Sequence, residues 1–215
     1  MLPATPNILL GEPFIELATI DSTNIYAMDL VHKGLALSGS CIRAQFQSQG
    51  KGQHGRNWES SAGLNLLCSY ILALKQLNPV KIWSPSDQMA FSAAIALGVC
   101  SFFEAFAGGK TKIKKPNDIY WGDRKAGGIL IENVLRGQAW TWSVVGIGIN
   151  INQMEFSQEA GQPISLKQIT GETYQLGVLQ KALSLHLNNA IMEWLSLGDL
   201  PTLEKWEAES VIIKK

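Results

Sequence analysis

TKIKKPNDIYWGDRKAGGILIENVLRGQAWTWSVVGIGINI, from Thr111 to Ile151, decides the fold class of this 215-residue chain. Its apolar residues come in short runs rich in β-branched and aromatic side chains, each bounded by turn-forming residues. Thr111 to Lys115 reads as a short strand, with Lys112 a solvated side chain on it. Pro116-Asn117-Asp118 then turns into a second strand, Ile119 to Trp121. Gly122-Asp123-Arg124 makes a tight turn that leads through Lys125-Ala126-Gly127-Gly128 into a strand from Ile129 to Leu135. Arg136-Gly137-Gln138 is a hairpin turn and Ala139 to Ile151 a long strand. The pattern predicts an antiparallel meander with charged residues at its turns and ends. Gly146-Ile147-Gly148-Ile149-Asn150 is not a dinucleotide fingerprint, because it lies within a strand pattern and position 151 is Ile. Glycines inside a strand mark close approach of a ligand or another backbone.

Upstream of the meander, Phe14 to Ile20 alternates as a strand, and Asp21-Ser22-Thr23-Asn24 offers helix N-cap chemistry. Ile25, Met28, Leu30 and Val31 form the apolar stripe of that helix, which ends near Lys33-Gly34. Two adjacent hydroxyls beside an amide either cap the helix or hydrogen-bond a polar ligand. Cys41 to Phe46 reads as the next strand and feeds Gln47-Ser48-Gln49 and then Gly50-Lys51-Gly52-Gln53-His54-Gly55-Arg56-Asn57-Trp58. Glycines alternating with Lys51, His54 and Arg56 suit a loop whose N–H groups and cations fold over a phosphate or carboxylate. Leu64 to Leu74 is a buried strand. Met89 to Phe106 is a long buried helix whose stripe of Phe91, Phe102, Phe103 and Phe106 belongs to the core. Gly108-Gly109-Lys110-Thr111 mimics the tail of a P-loop, but the required first glycine falls on Glu104, so the segment is a C-cap and turn. Helices follow the meander at Ser165 to Thr170, Leu176 to Leu197 and Pro201 to Glu209, before Val211 to Lys215 ends abruptly.

Composition narrows the function classes. Eighteen basic and 18 acidic residues balance, so no global field draws the chain to nucleic acid or an anionic membrane, and any anion recognition is local. Cys41, Cys68 and Cys100 are odd in number and widely spaced, as are His32, His54 and His186. That argues against a disulfide framework or a metal site and fits a reducing cytoplasm. Met1 to Gly11 lacks a basic n-region and is broken by Pro3 and Pro6, so neither a signal peptide nor a membrane span is expected. No linker or repeat divides the chain, and residues 1–215 read as one α+β domain.

Ser22-Thr23-Asn24, the GKGQHGRNW loop, Lys114-Lys115-Pro116-Asn117-Asp118, Lys125-Ala126-Gly127-Gly128-Ile129-Leu130 and Gly146-Ile147-Gly148-Ile149-Asn150-Ile151-Asn152 together resemble the catalytic domain of biotin protein ligase. The five motifs stand in the family's order, and the helical tail with Trp206 is similar to the end of that domain. The resemblance implies a class II synthetase-like biotin/lipoate ligase fold, a mixed and largely antiparallel sheet with helices packed on one side. It also implies a two-step reaction. Biotin and ATP, with magnesium, form biotinyl-5′-adenylate, and a lysine of a biotin carboxyl carrier protein then takes the biotinyl group.

By that resemblance Lys114 bridges the biotin carboxylate and the α-phosphate, a role for which a compact charge suits crowded oxyanions. Lys51 and Arg56 complete the catalytic cations. Ser22, Thr23, Asn24 and Gln47 match the biotin-binding positions, where a ureido ring needs both donors and acceptors. Gly50, Lys51, Gly52 and Gln53 match the loop over biotin and the adenylate, with Gly128 a glycine neighbour of the site. Gln53, Arg56, Trp58, Asn117, Asp118, Lys125 and Asn150 match the nucleotide side, and no protein metal ligand is implied. Departures from the family pattern are Lys51 and Gln53, where arginines are frequent, and Lys115, where an aromatic usually precedes Pro-Asn-Asp. The thirteen residues before Phe14 are too few for the helix-turn-helix domain of some relatives, and the chain stops near where a small C-terminal β-barrel would begin. Pairing of two copies through a sheet edge, with Ala139 to Ile151 as that edge, is a further expectation. The alternatives are a lipoate or octanoate ligase or transferase, and a non-catalytic biotin-binding module.

Overall fold

A computed structural model describes residues 9–157 and 162–211. The expectations placed on Pro3, Pro6 and 212–215 lie outside the described residues. The elements run β1 (Phe14–Ile20), α1 (Thr23–His32), β2 (Cys41–Gln47), β3 (Leu66–Ala73), α2 (Leu74–Leu77), α3 (Gln88–Ala107), β4 (Thr111–Lys114), β5 (Asp118–Trp121), β6 (Arg124–Arg136), β7 (Ala139–Ile149), α4 (Leu166–Thr170), α5 (Leu176–Leu197), α6 (Asp199–Ala208) and β8 (Ser210–Val211). Among the described residues the strands form one eight-stranded sheet in the order β1-β2-β3-β7-β6-β5-β4-β8. The outer pairs β1/β2 and β4/β8 are parallel and all others antiparallel. The α+β class and the meander hold.

Two expectations about the strands are corrected. Lys125-Ala126-Gly127-Gly128 is not a connection: β6 starts at Arg124, and its first residues pair with β5 and β7. The segment Ala139 to Ile151 is no sheet edge either. Its strand, β7, is hydrogen-bonded on both sides, to β3 and to β6, and its near-continuous burial reflects that central place. Lys112 keeps its side chain partly exposed, as expected, and pairs with Glu209 at 2.8 Å, which raises the lysine's pKa and ties the end of α6 to β4.

The helices occupy both faces rather than one. Side chains alternate across a strand, so Cys68, Tyr70, Val145 and Ile147 face the large core under α3 and α5. Ile42, Ile71 and Val144 face the other way and pack against Ala27 and Val31 of α1. The long helix α3 is apolar nearly all round because it lies between the sheet, α5 and α6. By length and composition Pro85–Ala107 could cross a membrane, but most of that window is buried within the fold. A Cβ on Gly98 would lie 3.1 Å from the Ala190 Cβ and 3.2 Å from the His186 carbonyl, so the glycine sets how closely α3 and α5 approach.

A four-ring cluster closes the core below the hairpin end of β7. Trp140 meets Trp83 and Phe91 edge-on at 6.0 and 5.2 Å, and Trp194 packs against the same two rings at 5.4 and 5.7 Å. Trp140 also donates its indole N–H to the Trp142 carbonyl at 3.0 Å. Trp140→Ala is expected to cost about 3–5 kcal/mol of folding stability. Urea unfolding should show it as a lower midpoint with an unchanged slope.

Candidate active site

The first turn of α1 is turned inward. Ser22 is the N-cap by its backbone, yet its side chain makes no capping bond. Ser22, Thr23 and Asn24 are all buried and line a cavity of about 330 Å³ on the α1 face of the sheet. Of the two roles open to these hydroxyls, capping is therefore not the one adopted. Gln47, at the end of β2, accepts the Thr23 backbone N–H through Oε1 at 2.7 Å. The Ser22 hydroxyl has no hydrogen bond among the described residues.

Two rows of residues across three strands make the cavity floor, and glycine decides what lies on each. In the first row, Ser69 of β3, Gly146 of β7 and Leu130 of β6 are in register. The Asn24 side chain lies across this row. A Cβ on Gly146 would sit 2.2 Å from Asn24 Oδ1, a separation no real contact allows. From there Asn24 Oδ1 lies 2.6 Å from Ser69 Oγ, while Nδ2 donates to Glu132 Oε2 at 2.9 Å and to the Leu130 carbonyl at 3.3 Å. In the second row, Leu67, Gly148 and Gly128 are in register. The Trp58 indole lies on this row: a Cβ on Gly148 would be 2.5 Å from its Cε2, and one on Gly128 would be 3.3 Å from its Cζ3. The strand glycines thus mark close approach of side chains brought in from elsewhere in the chain.

The glycine-rich segment is a small hairpin rather than an open loop. Trp58 donates its backbone N–H to Gly50 at 2.8 Å, Gly52 donates to Arg56 at 2.7 Å, and Lys51 bridges Asn57. The turn falls at His54 and Gly55, both at positive φ (56° and 73°). Such a conformation strongly favours glycine and is tolerated by histidine better than by most residues. A Cβ on Gly50 would strike the Trp58 carbonyl at 2.3 Å, so that glycine closes the base of the hairpin.

Charge at the other end of the cavity is mostly positive. Lys51, Arg56, Lys114, Lys115 and Lys125 line it, with Asp118 as the one carboxylate among the lining residues. Lys125 is paired with Asp118 at 2.7 Å, and Lys115 with Glu207 while lying 4.8 Å above the Trp206 ring. Lys51, Arg56 and Lys114 make no salt bridge among the described residues. Lys114 Nζ is 3.3 Å from the Tyr120 hydroxyl and 5.0 Å above that ring. This end of the cavity can hold two anionic groups at once. The Cys68 thiol belongs to the core on the other face of the sheet, where contact with Cys41 and burial raise it well above its usual pKa, so it supplies no thiolate nucleophile to the cavity.

Most residues expected from the sequence do converge here: Ser22, Thr23, Asn24, Gln47, Lys51, Gly52, Gln53, Arg56, Trp58, Lys114, Asn117, Asp118, Lys125 and Gly128 all line the cavity. Two do not. Gly50 sits at the hairpin base, and Asn150 is buried outside the cavity, donating Nδ2 to the Ile164 carbonyl at 3.2 Å. Asn117 lines the cavity yet also performs the turn role, exchanging hydrogen bonds with Ile129. Ser69 and Glu132 were missed. Ser69 is a polar residue within an otherwise apolar strand run, and that anomaly was the available signal, whereas Glu132 stands beside Asn133 in a mixed strand that marks neither.

This arrangement defines a class: the chain belongs to the biotin/lipoate A/B protein ligase family, whose model matches residues 16–150. Among curated relatives it is 30% identical over 192 residues to the bifunctional ligase/repressor BirA of Salmonella typhimurium, covering 89% of this chain and 57% of that protein. It is 34% identical over 136 residues to the biotin–[acetyl-CoA-carboxylase] ligase of Paracoccus denitrificans, covering 63% and 53%. The chain thus spans somewhat more than half of each relative. Its fold is that of the biotin protein ligase of Aquifex aeolicus, solved in complex with biotin and ATP. The TM-score is 0.76 at 23% identity over 93% of this chain and 79% of that one.

Gly148→Ala is expected to lift Trp58 off the sheet while leaving the strand pairing intact, because only one side chain is displaced. Limited trypsin digestion should then cut after Lys51 or Arg56 several-fold faster than in wild type, with little change in the thermal midpoint.

Proposed function

We propose that the chain activates biotin with ATP, forming biotinyl-5′-adenylate and pyrophosphate, and then passes the biotinyl group to a lysine of a biotin carboxyl carrier protein. The observation that supports this most is a single cavity with a neutral polar end, built by Ser22, Thr23 and Gln47, and a cationic end, built by Lys51, Arg56 and Lys114. The polar end suits a ureido ring, which brings two N–H donors and one carbonyl acceptor. A dithiolane ring offers neither, which argues against a lipoyl substrate here.

In the first step a biotin carboxylate oxygen attacks the α-phosphorus of ATP, an O–P bond forms, and the bond from that phosphorus to the oxygen bridging to the β-phosphate breaks, so that pyrophosphate leaves with the electron pair. Both reactants are anions, so the protein's task is to hold them together and to stabilise charge on the phosphoryl oxygens. Lys114, which pairs with no carboxylate among the described residues, serves as the bridging cation. Arg56 and Lys51 bring charge over the phosphates from the hairpin. Trp58, fixed on Gly148 and Gly128, forms an apolar wall that keeps water from the mixed anhydride. In the second step the acceptor amine attacks the acyl carbon, and AMP departs.

Magnesium enters as the metal of the nucleotide substrate. Among the described residues no group of three His, Cys, Asp or Glu could hold a metal, and Asp118 is committed to Lys125. That donor set fits a cation carried on phosphate oxygens and water. The buried free cysteines suit a cytoplasmic location. Nothing in the reading calls for nucleic acid or membrane. Among the described residues the sheet edges open to edge-to-edge pairing of two copies are β1 and the two-residue β8, not β7.

Biotin-dependent exchange of labelled pyrophosphate into ATP tests the reading. Wild type should support exchange, lipoate should not replace biotin, and Lys114→Ala should lower the rate by about 10²–10³-fold with the fold retained. Wild type that binds biotin without exchange would leave a non-catalytic binding module. Gln53, neutral where the family favours arginine, hydrogen-bonds but cannot pair with phosphate charge. Gln53→Arg is therefore expected to slow release of the adenylate several-fold in a single-turnover chase, and an unchanged release rate would refute that role.

A further inference from the structure

The carboxylates around Lys114 are all taken by other lysines. Lys112 and Lys115, its neighbours along the chain, pair with Glu209 at 2.8 Å and with Glu207. Asp118 lies directly opposite Lys114 in the register of β4 and β5, yet its carboxylate goes to Lys125 at 2.7 Å. The partner that Lys114 does have is neutral. Its Nζ donates to the Tyr120 hydroxyl at 3.3 Å and lies 5.0 Å from the centre of that ring.

Strand geometry brings the two side chains together. Ile113 and Ile119 are paired and belong to the large core, so Lys112, Lys114, Asp118 and Tyr120 share the opposite face. Tyr120 stands directly across from Lys112, whose ammonium is turned to Glu209. Its hydroxyl reaches the diagonal neighbour instead, a distance that aromatic and long side chains span. Lys114 lines the cavity and Tyr120 does not. The phenol therefore meets the ammonium from outside the cavity.

A free lysine stem samples many rotamers and must give them up when its ammonium takes a set place between anions. A carboxylate would hold the stem but cancel the charge that the phosphoryl oxygens need. A phenol oxygen accepts the same N–H through a dipole and leaves the charge whole. We propose that Tyr120 is a positioning residue for Lys114, its hydroxyl holding the ammonium at the cavity wall without neutralising it. Tyr120 touches no reacting atom. The effect on rate rests on the adenylation reading proposed above, whereas the fixing of the side chain is a property of the ligand-free chain.

Tyr120→Phe keeps the ring and removes the hydroxyl. Carbon-13 relaxation of the Lys114 ε-methylene, measured on the full chain without substrate, should show a more ordered side chain than that of Lys51, whose ammonium has no ion pair among the described residues. In Tyr120→Phe the order of Lys114 should fall to the Lys51 level. Biotin-dependent pyrophosphate exchange then supplies a double-mutant cycle. Tyr120→Phe is expected to lower kcat about tenfold in the wild-type background and to leave the residual rate of Lys114→Ala unchanged. A tyrosine that only packed β5 would change both backgrounds by the same factor. Equal factors, or a Lys114 as mobile in wild type as in Tyr120→Phe, overturn the proposal. A wild type with an ordered Lys114 but no exchange overturns the adenylation reading instead, a result distinct from the first.

Discussion

The missing Cβ atoms at Gly146 and Gly148 are the constraint from which the site follows. Both glycines lie on β7, the strand hydrogen-bonded on each side in the middle of the sheet. On an ordinary strand those positions would raise side chains into the space above. Here they leave two shallow depressions, one taken by the Asn24 amide and the other by the Trp58 indole. Helix α1 and the hairpin Gly50–Trp58 come from distant parts of the chain, and each is located on the sheet by the side chain it places there. The cavity is the space between them.

The two depressions separate the chemistry as well as the space. Asn24 lies in a network that ends in neutral hydroxyls and amides. Trp58 anchors the hairpin that presents Lys51 and Arg56. Neutral polar groups and cations are therefore presented above one sheet surface by two independent anchors. Groups of both kinds are useful to a ligand only when they are held in a set relation to one another. In this structure the relation is fixed by strand register.

Much of this was legible in the sequence, for identifiable reasons. Strands and helices with clear periods were placed to within a few residues, because burial on one or both faces writes the pattern directly. The residues lining the cavity were reached through motifs in the family's order, which encode spatial convergence that spacing alone does not. The central place of β7 was not legible, since a strand's neighbours depend on the whole topology and β7 pairs with β3 from some seventy residues earlier. Asn150 looked like part of a motif, yet its amide is used by a local carbonyl on the far side of the strand end. Ser69 and Glu132 contact α1, 45 and 108 residues away along the chain, so the sequence around them did not say what they touch, even where the lone hydroxyl of Ser69 stands out in an apolar strand. Lys115, for which the sequence suggested no role, forms a pair with Glu207 and lies over Trp206, joining the cavity rim to α6.

The hairpin has one more consequence. Its two ends are clipped together where Gly50 accepts the Trp58 N–H, and its arms are joined again where Gly52 donates to Arg56. A flap closed on itself in this way has few internal torsions left to lose. Most of its ordering entropy is spent when the chain folds, and little remains to be charged against ligand affinity. A glycine-rich sequence is usually taken as a sign of looseness, but here the glycines permit a tight turn and a tight base. What remains is motion of the flap as one piece about its attachment at Gly50 and Trp58, which would uncover or cover the cavity that its residues line.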